Sequence, residues 1–131
     1  MIIKKLLLPL IALNVIMFSA MAEDIPFTDE NCIRAAVGEA SGEGYNGLLA
    51  VCCALRNRKT LRGVYGFKTQ RREPERVWEI ARKAWEESKD KDIVGGAGHW
   101  ENITAFGKPY WTKSMQKTVT IGAHTFYKEV E

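Results

Sequence analysis

Two carboxylates, Glu39 and Glu43, lie four residues apart where an apolar helical run ends among glycines. A Glu in the last turn of a helix can lie half in the core and half in a cleft, which suits a general acid. Glycines at such a place let backbone or a ligand approach closely. The alternative is a solvated Glu beside a glycine that ends an ordinary helix. The local pattern alone leaves both interpretations open.

Three amphipathic helices are predicted to position these carboxylates, because apolar residues recur there at helical spacing. The apolar positions are Ile33, Ala36, Val37 and Ala40 in the first helix, Leu48, Val51, Cys52 and Leu55 in the second, and Val77, Trp78, Ala81, Ala84 and Trp85 in the third. Thr28 or Asp29 can cap the first helix. A turn at 44–47 separates it from the second, and Pro74 suits the first turn of the third. We expect the first two helices to pack as a hairpin with the acidic loop at its tip, and both tryptophans of the third to lie in the core.

The segment that begins at Ile93 is dense in aromatic residues and amides and has little helical or strand period. Aromatic faces with polar neighbours bind sugar rings, whose C–H faces are apolar and whose rims are polar. Trp100 and Trp111 are therefore the expected sugar-stacking residues. The alternative is that these side chains cover the core, and we expect at least one of the two to do so.

The chain closes on a short β segment over 118–127, which is interrupted at Gly122. His124, within this segment, is expected to be a hydrogen-bonded structural histidine rather than a catalytic base.

Residues 1–22 have the pattern of an export signal, with Lys4 and Lys5, an apolar stretch and Ala20-Met21-Ala22 as a cleavage site. Removing the two lysines lowers the net charge of +3, so the mature chain 23–131 is nearly neutral. A nearly neutral domain gives no support for nucleic-acid binding. We expect one exported domain, in the periplasm or at the cell wall.

Three cysteines, Cys32, Cys52 and Cys53, all lie in the exported part. A bridge from Cys32 to Cys52 or Cys53 would join neighbouring helices, but free cysteines are also often small buried hydrophobic residues. One functional hypothesis for these cysteines is a Cys/His amidase or peptidase. It is weakened because Cys52 and Cys53 lie in an apolar helix pattern, where a nucleophile would be protonated. No metal site is expected, since the sequence has neither a Cys-x-x-Cys pair nor a His-Glu-x-x-His run. No cofactor is expected either.

Five blocks of the chain, taken in order, resemble the SleB-type cell-wall hydrolases, the spore-cortex-lytic family. These blocks are residues 36–43 (Ala-Val-Gly-Glu-Ala-Ser-Gly-Glu), 47–58, 63–65, 96–102 and 120–127. The resemblance implies an α+β, mostly helical, lysozyme-like single domain with a short C-terminal β segment. It also implies cleavage of the peptidoglycan glycan strand between N-acetylmuramic acid and N-acetylglucosamine, typically as a lytic transglycosylase, with Glu39 as the catalytic acid.

A lytic transglycosylase can work with one carboxylate, acting as acid and then as base, and leaves 1,6-anhydromuramyl ends. Glu43 would then support the site. The expected substrate-binding residues are Ser41, Tyr65, Trp100, Asn102, Tyr110 and Trp111. Two alternatives stay open: a muramidase that uses two carboxylates, and a non-catalytic peptidoglycan-binding module. No separate wall-binding domain is expected in this length, so we expect a protein partner for wall targeting or activation.

Overall fold

The computed structural model describes residues 25–69 and 72–131. In chain order its elements are α1 (Asp29–Ala40), α2 (Gly44–Arg58), a first 3₁₀ helix (Tyr65–Lys68), α3 (Glu75–Glu87), β1 (His99–Glu101), α4 (Ile103–Phe106), a second 3₁₀ helix (Tyr110–Ser114), β2 (Met115–Ile121) and β3 (His124–Glu129). The predicted export signal lies outside the described residues. Among those that are described, no helix has the length and apolar character needed to cross a membrane. The predicted fold class, α+β and mostly helical with a C-terminal β segment, is confirmed.

Helix α2 is the centre of the core. Its residues 47–55 are all buried, because α1, α3 and the sheet pack around it. Helix α1 is capped as predicted, since the Thr28 hydroxyl accepts a hydrogen bond from the Asn31 N–H. The predicted turn at 44–47 is wrong: α2 already begins at Gly44, and the turn lies at 41–43.

The tryptophans of α3 face the core, as the helical spacing predicts. Trp85 is buried and its indole N–H donates to Asp29 Oδ1 at 2.9 Å. The guanidinium of Arg56 stacks on the Trp85 ring at 3.7 Å. Trp78 is partly buried and packs against the same core. This network fixes α3 against the start of α1 and the end of α2.

The sheet has three antiparallel strands in the order β1–β3–β2. Strands β2 and β3 form a hairpin whose turn is Gly122–Ala123, and Gly122 takes a φ of 58° that favours glycine. The predicted break at Gly122 is therefore confirmed as a hairpin turn. The expectation that the segment after Ile93 is irregular is wrong for His99–Glu101, which pairs with β3 as strand β1.

The bridge predicted between Cys32 and one of the other cysteines is absent. All three thiols are free and buried, and the alternative of three small buried hydrophobic residues is confirmed. Burial raises the pKa of Cys32 to about 12 and that of Cys52 to about 12. Thiols in such surroundings stay protonated near neutral pH, so they are poor nucleophiles.

Candidate active site

Glu39 lies in the last turn of α1, where its half-buried side chain receives two hydrogen bonds. Its Oε1 accepts from the backbone N–H of Gly66 at 2.8 Å. Its Oε2 accepts from the indole N–H of Trp100 at 3.3 Å. Donors from two distant segments therefore fix the orientation of one carboxyl group at a helix end.

The Gly66 donor can reach Glu39 only because the first 3₁₀ helix lies directly on α1. A Cβ added to Gly38 would come within 2.0 Å of the Gly66 carbonyl oxygen. A Cβ added to Gly66 would lie 2.5 Å from the Ala35 carbonyl oxygen and 2.5 Å from Glu39 Cγ. Both contacts are closer than any side chain allows. The glycines at these two positions are thus what permits the approach that the sequence pattern suggested.

Trp100 reaches Glu39 from β1. It pairs with Phe126 of β3 in the sheet, and the two rings pack with centroids 6.5 Å apart. The side chain is half-buried and contributes to the edge of the core. Trp100 is therefore a strand residue whose indole contacts the candidate acid, whereas the sequence placed it in a loop.

Glu43 has a different environment, because both of its oxygens are engaged by the hairpin turn. Oε1 accepts from the Ala123 N–H at 2.8 Å, and Oε2 lies 2.8 Å from His124 Nδ1. The two side chains are only 16% and 9% exposed. A Cβ on Gly122 would lie 2.5 Å from Oε1 and the backbone φ there is 58°, so a side chain at this position would displace the carboxylate and strain the turn. The prediction that His124 is hydrogen-bonded is confirmed, and the residue is buried.

Arg58, the last residue of α2, is a further charged group near Glu39 that the sequence analysis gave no role. Burial lowers the pKa of its guanidinium, and the negative charge of Glu39 opposes that effect. Its Nη1 donates to the Gly98 carbonyl at 3.3 Å and to His99 Nδ1 at 3.1 Å. Its Nη2 donates to the Arg62 carbonyl. In the sequence, the only indication that Arg58 belongs to the site is its place in block 47–58, which resembles the SleB-type family.

Two of the predicted substrate-binding residues are tyrosines with strongly exposed side chains. Tyr65 is 78% exposed and precedes Gly66, so it adjoins a donor of Glu39. Tyr110 is 85% exposed and begins the second 3₁₀ helix. Both rings are free to contact a ligand.

The other predicted binding residues make local contacts. Trp111 packs edge-on against Tyr127, with centroids 5.4 Å apart. The Asn102 side chain caps α4 by accepting from the Ala105 N–H at 3.0 Å. Ser41 ends α1, with its backbone N–H bonded to the Val37 carbonyl. The structure thus joins Trp100 directly to Glu39, and Tyr65 precedes the Gly66 donor in the chain. Trp111, Asn102 and Ser41 lie in packing or capping positions, and Tyr110 is exposed.

The chemistry that these residues can perform is proton transfer. Glu39 is a half-exposed carboxyl that is held by neutral donors, and it can give or accept a proton. Within 25–69 and 72–131, no three His, Cys, Asp or Glu side chains are grouped so that they could hold a metal ion. Glu39 is therefore an oriented acid–base group.

Comparison with solved structures identifies a shared fold. No protein-family model matches the sequence, and no curated protein matches it at a significant level. Two solved structures are similar to it. The catalytic domain of the Bacillus cereus SleB protein has a TM-score of 0.57 and 25% identity, covering 79% of this chain and 95% of that one. The catalytic domain of the germination-specific lytic transglycosylase SleB from Bacillus anthracis has a TM-score of 0.56 and 24% identity, covering 80% and 98%.

The fold is therefore that of a SleB-type catalytic domain. The resemblance that the sequence blocks carry is confirmed at the level of the fold. The match spans nearly the whole length of both solved domains and about four-fifths of this chain.

Proposed function

We propose that this protein cleaves the glycan strand of peptidoglycan between N-acetylmuramic acid and N-acetylglucosamine, as a lytic transglycosylase. Two similarities support an enzyme of this class. The fold matches the SleB catalytic domains, one of which is described as a lytic transglycosylase. The sequence blocks that resemble the family include the one that contains Glu39.

The observation that carries the proposal is the contrast between the two carboxylates. Glu39 is oriented at a helix end by Gly66 and Trp100. Glu43 uses both oxygens to hold the hairpin turn. A hydrolase of the common type needs a second carboxylate as base or nucleophile. With Glu43 engaged, the site favours chemistry that needs one carboxylate.

In the proposed reaction the protonated Glu39 donates its proton to the glycosidic oxygen, and the bond from that oxygen to the muramyl anomeric carbon breaks. The C6 hydroxyl of the same muramyl ring attacks the anomeric carbon, so the reaction is intramolecular. The Glu39 carboxylate then takes the proton of that hydroxyl. The products are a 1,6-anhydromuramyl end and a free N-acetylglucosamine hydroxyl, and Glu39 returns to its starting state without a cofactor.

Substrate binding is assigned to the aromatic and polar residues that the sequence predicts. Tyr65 is the best placed, because it is exposed and adjoins Gly66. Trp100 is proposed to stack a sugar with the face that the core does not cover. Tyr110, which is strongly exposed, and Trp111 are assigned as further sugar contacts, and Ser41 and Asn102 complete the assigned set. Their contributions are proposed to be to binding rather than to bond cleavage.

The place of action follows from the substrate. Peptidoglycan lies outside the cytoplasmic membrane, so the protein is proposed to be exported through the signal at 1–22, with 23–131 as the catalytic domain. A wall-targeting or activating protein partner would direct it to its substrate.

Digestion of purified peptidoglycan by the protein tests the proposal, with the muramyl ends identified by mass spectrometry. Anhydromuramyl ends are the expected product. Reducing muramyl ends would show that water attacks, which favours the two-carboxylate muramidase. Binding without cleavage would favour the non-catalytic module.

A further inference from the structure

Arg58 contacts two separate segments of the chain from the end of α2. Its Nη2 donates to the carbonyl of Arg62, and its side chain lies 3.3 Å from where a Cβ of Gly63 would be. Its Nη1 donates to the Gly98 carbonyl and to the ring of His99. One guanidinium therefore ties the loop after α2 to the start of β1.

Each of these segments leads to one of the donors of Glu39. The loop that passes Arg62 continues to Gly66, whose N–H donates to Oε1. Strand β1 starts at His99, and its next residue is Trp100, whose indole donates to Oε2. Glu39 thus receives both of its hydrogen bonds from segments that Arg58 holds.

We infer that Arg58 is a positioning residue for the candidate acid: its guanidinium bridges 62–63 and 98–99, and thereby sets where the Gly66 and Trp100 donors meet Glu39. This inference rests on the proposed function of Glu39. The fork shape of a guanidinium is essential, because it directs several N–H groups at separate acceptors in fixed directions. A lysine ammonium keeps the charge but is a single point, which cannot reach all three acceptors in the same geometry.

The contact with His99 also fixes the state of that ring. A guanidinium only donates, so Nδ1 of His99 accepts and the proton of the neutral ring is on Nε2. Burial first, and then the Arg58 charge, lower the pKa of His99. The bridge is therefore intact when His99 is neutral.

The test is Arg58→Lys, with Arg56→Lys as the matched control. Arg56 is two residues earlier on α2, and it also donates to a backbone carbonyl, that of Trp85, on the side of the helix that faces α3. We expect Arg58→Lys to lower kcat for peptidoglycan cleavage by about 10- to 100-fold, the order that a misplacement of about 1 Å can cost, with KM within about threefold. Arg56→Lys should leave kcat within about twofold, although it lowers Tm.

A second readout does not depend on activity. The indole N–H resonance of Trp100 reports its bond to Glu39, and it should shift in Arg58→Lys and stay in place in Arg56→Lys. An unshifted resonance with normal kcat in Arg58→Lys would overturn the inference. If the wild-type protein cleaves no glycan, the proposed function fails. The Trp100 indole resonance then tests the positioning role by itself, and an unshifted resonance in Arg58→Lys overturns it.

Should Arg58→Lys fail to fold, two variants of its acceptor, His99→Leu and His99→Asn, test the same inference. The Oδ1 of asparagine can replace Nδ1 as an acceptor, whereas leucine offers none. His99→Leu should lower kcat and shift the Trp100 resonance. His99→Asn should keep kcat and the position of the Trp100 resonance close to those of the wild type. Equal behaviour of the two variants would contradict the bridge.

Discussion

Glu43 and His124 form a nearly buried carboxylate–imidazole pair, 2.8 Å from Oε2 to Nδ1, that joins the α1–α2 junction to the turn of the β2–β3 hairpin. The two residues are 81 positions apart in the sequence, and the fold brings them into contact. The adjacent Ala123 N–H reinforces the pair, because it donates to the same carboxylate. Because β3 also pairs with β1, this contact helps to place Trp100 beside Glu39.

Glu43→Gln should therefore destabilise the protein more than it changes the chemistry. Gln can still accept from Ala123, but the charge-assisted bond to His124 is lost. We expect a loss of about 1–3 kcal/mol in the free energy of unfolding, measured by urea denaturation. Glu86→Gln, at an exposed surface pair with Lys89, is the control and should change it by less than about 0.5 kcal/mol. A Glu43→Gln protein of normal stability with no glycan cleavage would instead move the acid to Glu43.

Gly66→Ala should damage both stability and activity. The added Cβ would meet the Ala35 carbonyl and the Glu39 side chain, so the 3₁₀ helix must shift and carry the N–H donor with it. We expect a cost of about 1–3 kcal/mol, as for other overpacked sites, with reduced cleavage. Gly42→Ala is the matched control, because a Cβ there meets nothing within 4 Å. Equal stability and activity of the two variants would show that the close approach at Gly66 is not needed.

The three cysteines should be unreactive in the folded protein and all reactive once it is unfolded. Burial raises the pKa of Cys32 and Cys52 to about 12, so little thiolate is present at about pH 8. Thiol titration of unreduced protein should give no fast reaction when native and three thiols in denaturant. Native protein treated with an alkylating reagent should still cleave peptidoglycan, which would exclude the Cys/His amidase. A single reactive thiol in denaturant would reveal a bridge.

Stability should fall in mild acid in part because of His99. Burial and the Arg58 charge hold its pKa in the folded protein below the ordinary value of 6.5. The unfolded chain therefore binds the proton more readily, and the contribution that is present above pH 6.5 is lost as pH falls from there towards the folded pKa. Urea denaturation at about pH 7.5 and about pH 5 should show a smaller loss for His99→Asn than for the wild type. An equal loss would mean that His99 does not contribute.

The sequence predicts the local parts of this site well. Helical spacing identifies α1 and places Glu39 in its last turn among glycines, and Gly122 marks the hairpin turn. These features depend on residues that are close in the chain, which is why periodicity and turn preferences reveal them.

The partners of Glu39 are beyond such reasoning. Gly66 is 27 residues away and Trp100 is 61 residues away. Their approach depends on how the 3₁₀ helix and the sheet dock on α1, which no local pattern encodes. The same holds for the bridging role of Arg58, since an arginine at a helix end is ordinarily a solvated or dipole-compensating residue.

The most direct measurement is peptidoglycan cleavage by Glu39→Gln beside the wild type, with products identified by mass spectrometry. Gln keeps the shape of the side chain and can still accept from Gly66, but it has no proton to transfer. We predict that kcat falls by at least the roughly 10²- to 10⁴-fold that general acid catalysis supplies, with peptidoglycan binding retained and anhydromuramyl ends from the wild type alone. Near-normal cleavage by Glu39→Gln would contradict the assignment of Glu39 as the acid.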